Sequence, residues 1–395
     1  MSMAAPMANQ ATSFQKKSRS RGLQILGTRP SLHNGQLLVS TGVPSLDFVL
    51  GGGIAVGSVL LIEEDTYGNY AQLLLSYYLA EGVMTQHHLC LASGDEKPHT
   101  ILKNLPCPEE DPISAAAEGN KRRSGKTNEE ETMKIAWRYQ HLPKHQSNPA
   151  SHRFGHYYDL SRVMSAEQLS STPCSCFYLA DHWSGKTNTS DCLNPVYKKL
   201  FQHIENQVAE GGFSLTQLQT QTQAKERTVL RIAIHSLGSA LWGDEPLSDR
   251  QTGTSLCQFL HALRALLRNS LAVCVITIPT HVFQDSGLVR RLERLCDTAV
   301  QLESFAGSDQ EKNPAYKEYH GLFHIKQLPR LNSLTCHMPD SLDLAFKLKR
   351  KKLTIEKLHL PPDLSETMSR SQADHSSIAP SLGCASSTSK GKLDF

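Results

Sequence analysis

Apolar residues fall in two kinds of run along the chain. Short continuous runs, "SVLLIEE" (58–64), "HHLCLAS" (87–93), "VLRIAIH" (229–235) and "LAVCVITIP" (271–279), have the length and β-branched content of buried strands. The last is apolar throughout, which predicts a central strand covered on both faces. "YAQLLLSYYLAEG" (70–82) has helical spacing, with Gly82 as its expected stop. In "SLCQFLHALRALLRNS", Leu256, Phe259, Leu260, Leu263, Leu266 and Leu267 make one helical stripe, with Thr254 or Ser255 to cap its start and Asn269 its end. Further helices are predicted over 195–210 and 286–296, and a strand in "DTAVQLESF". "GLFHIKQL" and "KKLTIEKL" read as shorter antiparallel strands. Strand, helix, strand in succession implies βαβ units, so the expected fold is α/β with a mostly parallel sheet and an antiparallel extension.

The polar stretches set the domain limits. Residues 1–21 form an expected disordered basic arm, and the Ser-rich residues 361–395 a disordered tail. Residues 22–360 then form a single domain, interrupted by mobile polar insertions at about 107–132 and 212–227. The net charge of +3 argues for nucleic acid only through local clusters. No run of eighteen apolar residues occurs, so no membrane partner is expected. Ten scattered cysteines suit reduced thiols in the cytosol or nucleus. Cys174, Cys176, His182 and Cys192 invite a zinc reading, but Cys-x-Cys is not the usual paired spacing, and no metal is expected.

The strand–loop–helix from Ser58 to Gly82 has the frame of a phosphate-binding loop. A working loop reads G-x-x-x-x-G-K-[ST]: glycines expose backbone N–H groups, Lys reaches the outer phosphates, and the hydroxyl holds Mg²⁺. Aligned after "SVLLIEE", those four slots hold Glu64, Asn69, Tyr70 and Ala71. Glu64 and Asp65 would add negative charge beside a triphosphate, costing on the order of several kcal/mol if dehydrated. Two "SGKT" strings, at 124–127 and 184–187, follow no buried strand and open no apolar helix. His235 stands where a metal-holding Asp is expected, and neutral imidazole is a poor ligand for Mg²⁺. The site reads as degenerate: no catalytic residue, and no cofactor in the chain's own loop.

"GVPSLDFVLGGGIAVGSVLLIEE" is similar to the opening of RecA/KaiC-type ATPase domains, through Leu46, Asp47, Gly52, Gly53, Gly57 and Ser58. With "KIAWRYQ", "RFGHYYD", "ALWGD", "NPAYKEYHGLFHIKQLPRLNSL" and "LAFKLKRKKLTIEKLHLPPDLS", the chain resembles the subunit-four family of the Elongator complex from about Leu23 to Ser365. That resemblance implies a RecA-like P-loop NTPase fold with degenerate nucleotide motifs. It implies a heterohexameric ring with subunits five and six, attached to the catalytic Elongator subunits, which modify the wobble uridine of certain tRNAs at carbon 5. The ring binds tRNA, and ATP enters at ring level only.

In such rings a neighbour completes each cleft, often with a Lys and an Arg on a late strand. Lys326 and Arg330 in "FHIKQLPRL" resemble that pair; ordinary surface charges are the other reading. Lys347, Lys349, Arg350, Lys351 and Lys352 form a dense basic run. On a strand, alternate members would share a face and could meet tRNA phosphates; a solvated edge strand is the alternative. Two other functions stay open: an active ATPase using a non-standard inter-subunit cleft, and a RecA-like DNA-recombination mediator.

Overall fold

The apolar run Ala272–Ile278 is buried at every residue and lies inside the main sheet. The computed structural model of the protein describes residues 25–31, 34–109, 154–182, 194–216, 227–242, 250–331 and 337–359. The arm 1–21, the tail 361–395, both "SGKT" strings and Cys192 lie outside them. So do most of the two expected insertions, although Cys107 and Pro108 are in a strand and Phe213 is buried.

The strands are β1 (Thr28–Pro30), β2 (Leu37–Val39), β3 (Ile54–Ala55), β4 (Val59–Glu63), β5 (His88–Ser93), β6 (Pro106–Pro108), β7 (Tyr158–Val163), β8 (Cys174–Tyr178), β9 (Leu230–His235), β10 (Ala272–Ile278), β11 (Thr298–Ser304), β12 (Gly321–Gln327), β13 (Leu344–Leu348) and β14 (Leu353–Lys357). The main sheet has the order β14-β13-β12-β11-β4-β10-β9-β5-β8. From β11 to β8 all neighbours are parallel; β11 to β14 are antiparallel. The α/β expectation holds, antiparallel extension included. The strand Leu344–Leu348, between the two expected late strands, is an addition to that expectation.

Alternation along the parallel strands feeds two cores. Leu60, Ile62, Leu89, Leu91, Val273 and Val275 face one side, while Val59, Leu61, Cys90, Ala92, Cys274 and Ile276 face the other. The first side is covered by α1 (Asn69–Met84). The second is covered by α2 (Pro195–Glu210), α3 (Arg250–Arg268) and α4 (Ser286–Leu295). The expected stripe of α3 is buried, except that Leu266 is only partly covered. However, α3 begins at Arg250, so Thr254 and Ser255 lie inside it. Ser255 instead accepts the backbone N–H of Asn194, whose side chain caps α2.

Gly82 does not end α1, which runs on to Met84. A β-carbon at Gly82 would lie 2.5 Å from Leu89 Cδ2 and 2.9 Å from Arg231 Cδ. The glycine lets the helix approach the sheet at the place where a buried guanidinium passes. Arg231, with no exposure, donates Nε–H to His87 Nδ1 at 3.0 Å and Nη1–H to the carbonyls of Ser40 (2.9 Å) and Tyr78 (3.2 Å). Beside it, buried Glu81 accepts from Tyr158 Oη at 2.7 Å and from the His156 backbone N–H at 3.1 Å. Burial alone would raise the Glu81 carboxyl, yet His156, Arg231 and Tyr158 together hold it below the usual carboxylate range.

Gly82→Ala is expected to destabilise the chain by about 1–3 kcal/mol through overpacking, against the helix-propensity gain of roughly 1 kcal/mol. Denaturant unfolding checks this; a variant as stable as the parent would show that the close approach is dispensable.

Candidate functional site

The loop Glu64–Gly68 joins β4 to α1, in the place of a phosphate loop. Gly68 sits just before the helix in the left-handed region, at φ 70°. The N-terminus of a helix offers free N–H groups and a positive dipole end, which is what a phosphate would use. Here the chain supplies its own anion. Asp65 Oδ1 accepts the backbone N–H of Tyr70 at 3.0 Å and of Ala71 at 3.2 Å, and Asp65 is only 1% exposed.

The remaining slots are also occupied by structural roles. Tyr70, at the lysine position, turns onto β13, its ring 4.7 Å from that of Phe346 and 6.3 Å from that of His320. Ala71 is buried and Asn69 is exposed. Glu64 Oε2 accepts from Ser236 Oγ at 3.3 Å. Ser236 is itself a non-glycine residue at φ 50°, a conformation costly outside glycine. His235 ends β9 beside Ser93, almost fully covered, and burial pushes its imidazole below the ordinary value.

Two acids at this strand end hold their protons unusually tightly. Burial first, then the neighbouring Asp65 and Asp95 charges, push Glu64 up to about 7, against the hydrogen bonds of Thr277 and Ser236. Burial and a shared hydrogen bond with Glu293 push Glu63 up to about 7 as well, while Thr280 and the Lys326 charge oppose the rise. Thr280 Oγ1 donates to Glu63 at 2.9 Å. Sequence reasoning treats Glu64 and Asp65 as charges that repel phosphate. It misses that Asp65 takes the helix N–H groups itself; an Asp a few residues before the first helical turn is the signal that could have shown it.

Lys326 and Arg330 are not part of this loop. β12 runs antiparallel to β11, with Gly321 opposite Ser304 and Gln327 opposite Ala299, so Arg330 follows the strand at the opposite end, while Lys326, inside β12, is near enough for its charge to act on Glu63. The basic run is not one strand with alternating faces. Lys347 is in β13, and Lys349–Lys352 is the turn to β14, closed by Lys349 N–H to Lys352 O at 2.9 Å. A strand cannot continue there because β13 and β14 pair antiparallel and the chain must reverse. Lys347 pairs with Glu318 at 2.6 Å and Lys351 with Asp159 at 3.3 Å. Lys349, Arg350 and Lys352 are exposed. Of the zinc candidates, Cys174 and Cys176 lie on β8, and His182 stacks flat on Phe177 at 4.3 Å.

The model of one family, described as PAXNEB protein, matches residues 21–395. The chain belongs to the PAXNEB family. This PAXNEB chain is 48% identical over 404 residues to the Elongator complex protein 4 of Danio rerio, covering 99% of each. It is 49% identical over 383 residues to that of Homo sapiens, covering 93% of this chain and 89% of the relative. It is similar at 23% identity to that of Saccharomyces cerevisiae, covering 89% and 79%.

Glu63 and Glu64 bind protons more tightly in the folded PAXNEB chain than in the unfolded one, where Glu titrates near about 4.3. The stability they leave intact at low pH is therefore lost as pH rises from that value towards 7. Glu64→Gln is expected to make that fall shallower and to raise stability relative to the parent by on the order of 2 kcal/mol at about pH 8. Urea unfolding across pH measures it; an identical slope in parent and variant would refute it.

Proposed function

We propose that this chain is subunit four of an Elongator complex and a catalytically silent, RecA-like member of a heterohexameric ring with subunits five and six. In that ring it helps bind tRNA for the catalytic subunits that modify the wobble uridine, in the cytoplasm and nucleus. Similarity over nearly the whole length to proteins named Elongator complex protein 4 supports the assignment. The arrangement of the sheet, with a strand–loop–helix leading into α1, is compatible with a RecA-like fold.

The observation that carries the reading of silence is Asp65. Its carboxylate takes the N–H groups that a phosphate would need. The loops after three adjacent strands, β4, β9 and β10, also carry exposed Tyr67, Leu241 and Val282. Large apolar side chains exposed around one rim suit a joint with a neighbouring subunit. ATP then has a place only at ring level, with Lys326 and Arg330 as groups offered to a neighbour's cleft.

The purified chain alone is expected neither to hydrolyse ATP nor to bind it tightly. ATP turnover by the lone chain, abolished on changing Tyr70 or His235, would overturn the reading in favour of an active ATPase. Tighter binding of single-stranded DNA than of tRNA by the assembled ring would favour a recombination mediator.

Because Lys347 and Lys351 already have carboxylate partners, tRNA contact is assigned to Lys349, Arg350 and Lys352. Lys349→Glu with Arg350→Glu is expected to weaken tRNA binding by the ring. It should also reduce the salt slope by roughly 1–2, close to one unit for each phosphate that is no longer neutralised. A salt titration with an unchanged slope would remove the hairpin from the tRNA surface.

A further inference from the structure

Cys174 and Cys176 stand apart from the other described cysteines. They lie two positions apart on β8, the last strand of the main sheet, with their sulfurs 4.0 Å apart. Ser175 between them turns to α2, where it meets His203 at 2.9 Å. Strand alternation therefore puts both cysteines on the other face. Cys174 is exposed and Cys176 half-buried. By contrast Cys90, Cys274 and Cys296 are fully buried, and burial drives their thiols well up, which makes them inert.

Exposure divides the labour between the two sulfurs. They lie within contact distance, and either can donate to the other. Cys174, the exposed one, is the sulfur that a small disulfide meets first, and half-buried Cys176 is the resolving thiol. A strand advances about 3.3 Å per residue, so the two α-carbons stand roughly 6.6 Å apart, near the upper end of the disulfide range. A bond formed there is strained, which makes it easy to reduce again. Among the described residues β8 is the terminal strand and pairs with β5 alone, so it can pucker without breaking a second ladder there.

We propose that Cys174 and Cys176 are a reversible dithiol site for low-molecular-weight disulfides such as oxidised glutathione. The Cys174 thiolate attacks one sulfur of the disulfide; that S–S bond breaks, one thiolate leaves and takes up a proton, and a mixed disulfide remains on Cys174. Cys176 then loses its proton and attacks Cys174 Sγ, expelling the second thiolate, which is protonated in turn. The net change oxidises two protein thiols to one disulfide and reduces one small disulfide to two thiols. A small dithiol reverses it.

The test incubates the full-length chain in glutathione buffers of rising oxidised fraction, blocks free thiols, and weighs the peptide carrying both cysteines. The expected result is loss of the mass of two hydrogens from that peptide, restored by dithiothreitol, while Cys90, Cys274 and Cys296 stay as thiols. Finding both cysteines as free thiols, or only as separate glutathione adducts, would overturn the proposal. Cys176→Ser is expected to trap a glutathione adduct on Cys174. Cys174→Ser should form its adduct on Cys176 about tenfold more slowly, since that sulfur is half-buried and access limits the attack. Equal rates in the two variants would overturn the division of roles.

Discussion

A guanidinium inside a parallel sheet has to be satisfied on the spot, because an unpaired buried charge costs several kcal/mol. Arg231 meets most of that demand, through Nε and Nη1, with groups from separated parts of the chain: Ser40 after β2, Tyr78 on α1 and His87 before β5; Nη2 has no hydrogen-bond partner among the described residues. Its charge, after burial itself, keeps the His87 imidazole neutral, pushed down to about 3. Glu81 extends the same contacts to His156 and to Tyr158 at the start of β7. The segment after β2, the helix α1 and β7 are thus tied to one point on β9. Gly82 has no side chain because that point is already filled.

The opposite end of α1 is governed by the same rule with the signs reversed. Free N–H groups there demand an anion, and Asp65 provides one from within the loop. With one carboxylate placed on the helix end, the two before it cannot all stay charged at so little exposure. Glu63 and Glu64 therefore retain protons towards neutrality and act as hydrogen-bonding groups as much as charges.

Much of this was legible in the sequence. The continuous apolar runs mark the parallel strands, and the stripe of α3 marks its buried face, because both patterns follow directly from burial. What was not legible depended on tertiary contact. Gly82 resembles a helix stop until Leu89 and Arg231 are placed against it. The strand Leu344–Leu348 is short, with Lys347 already breaking its apolar run, and is hidden by the charges after it. That the loop lacks the lysine and hydroxyl of a phosphate loop is visible in Tyr70 and Ala71. That Asp65 takes the helix N–H groups is not, since it rests on the direction of one carboxylate.

Tyr70 gives that arrangement a longer reach. At the slot where an ATPase holds a mobile lysine, this chain has a ring packed against Phe346 of the antiparallel extension. Its ring is part of the packing between α1 and β13. A lysine there would open a gap beneath the extension and still find Asp65 seated on the helix. The start of α1 is thus held from two directions, by a carboxylate just before it and by a strand that arrives much later in the chain.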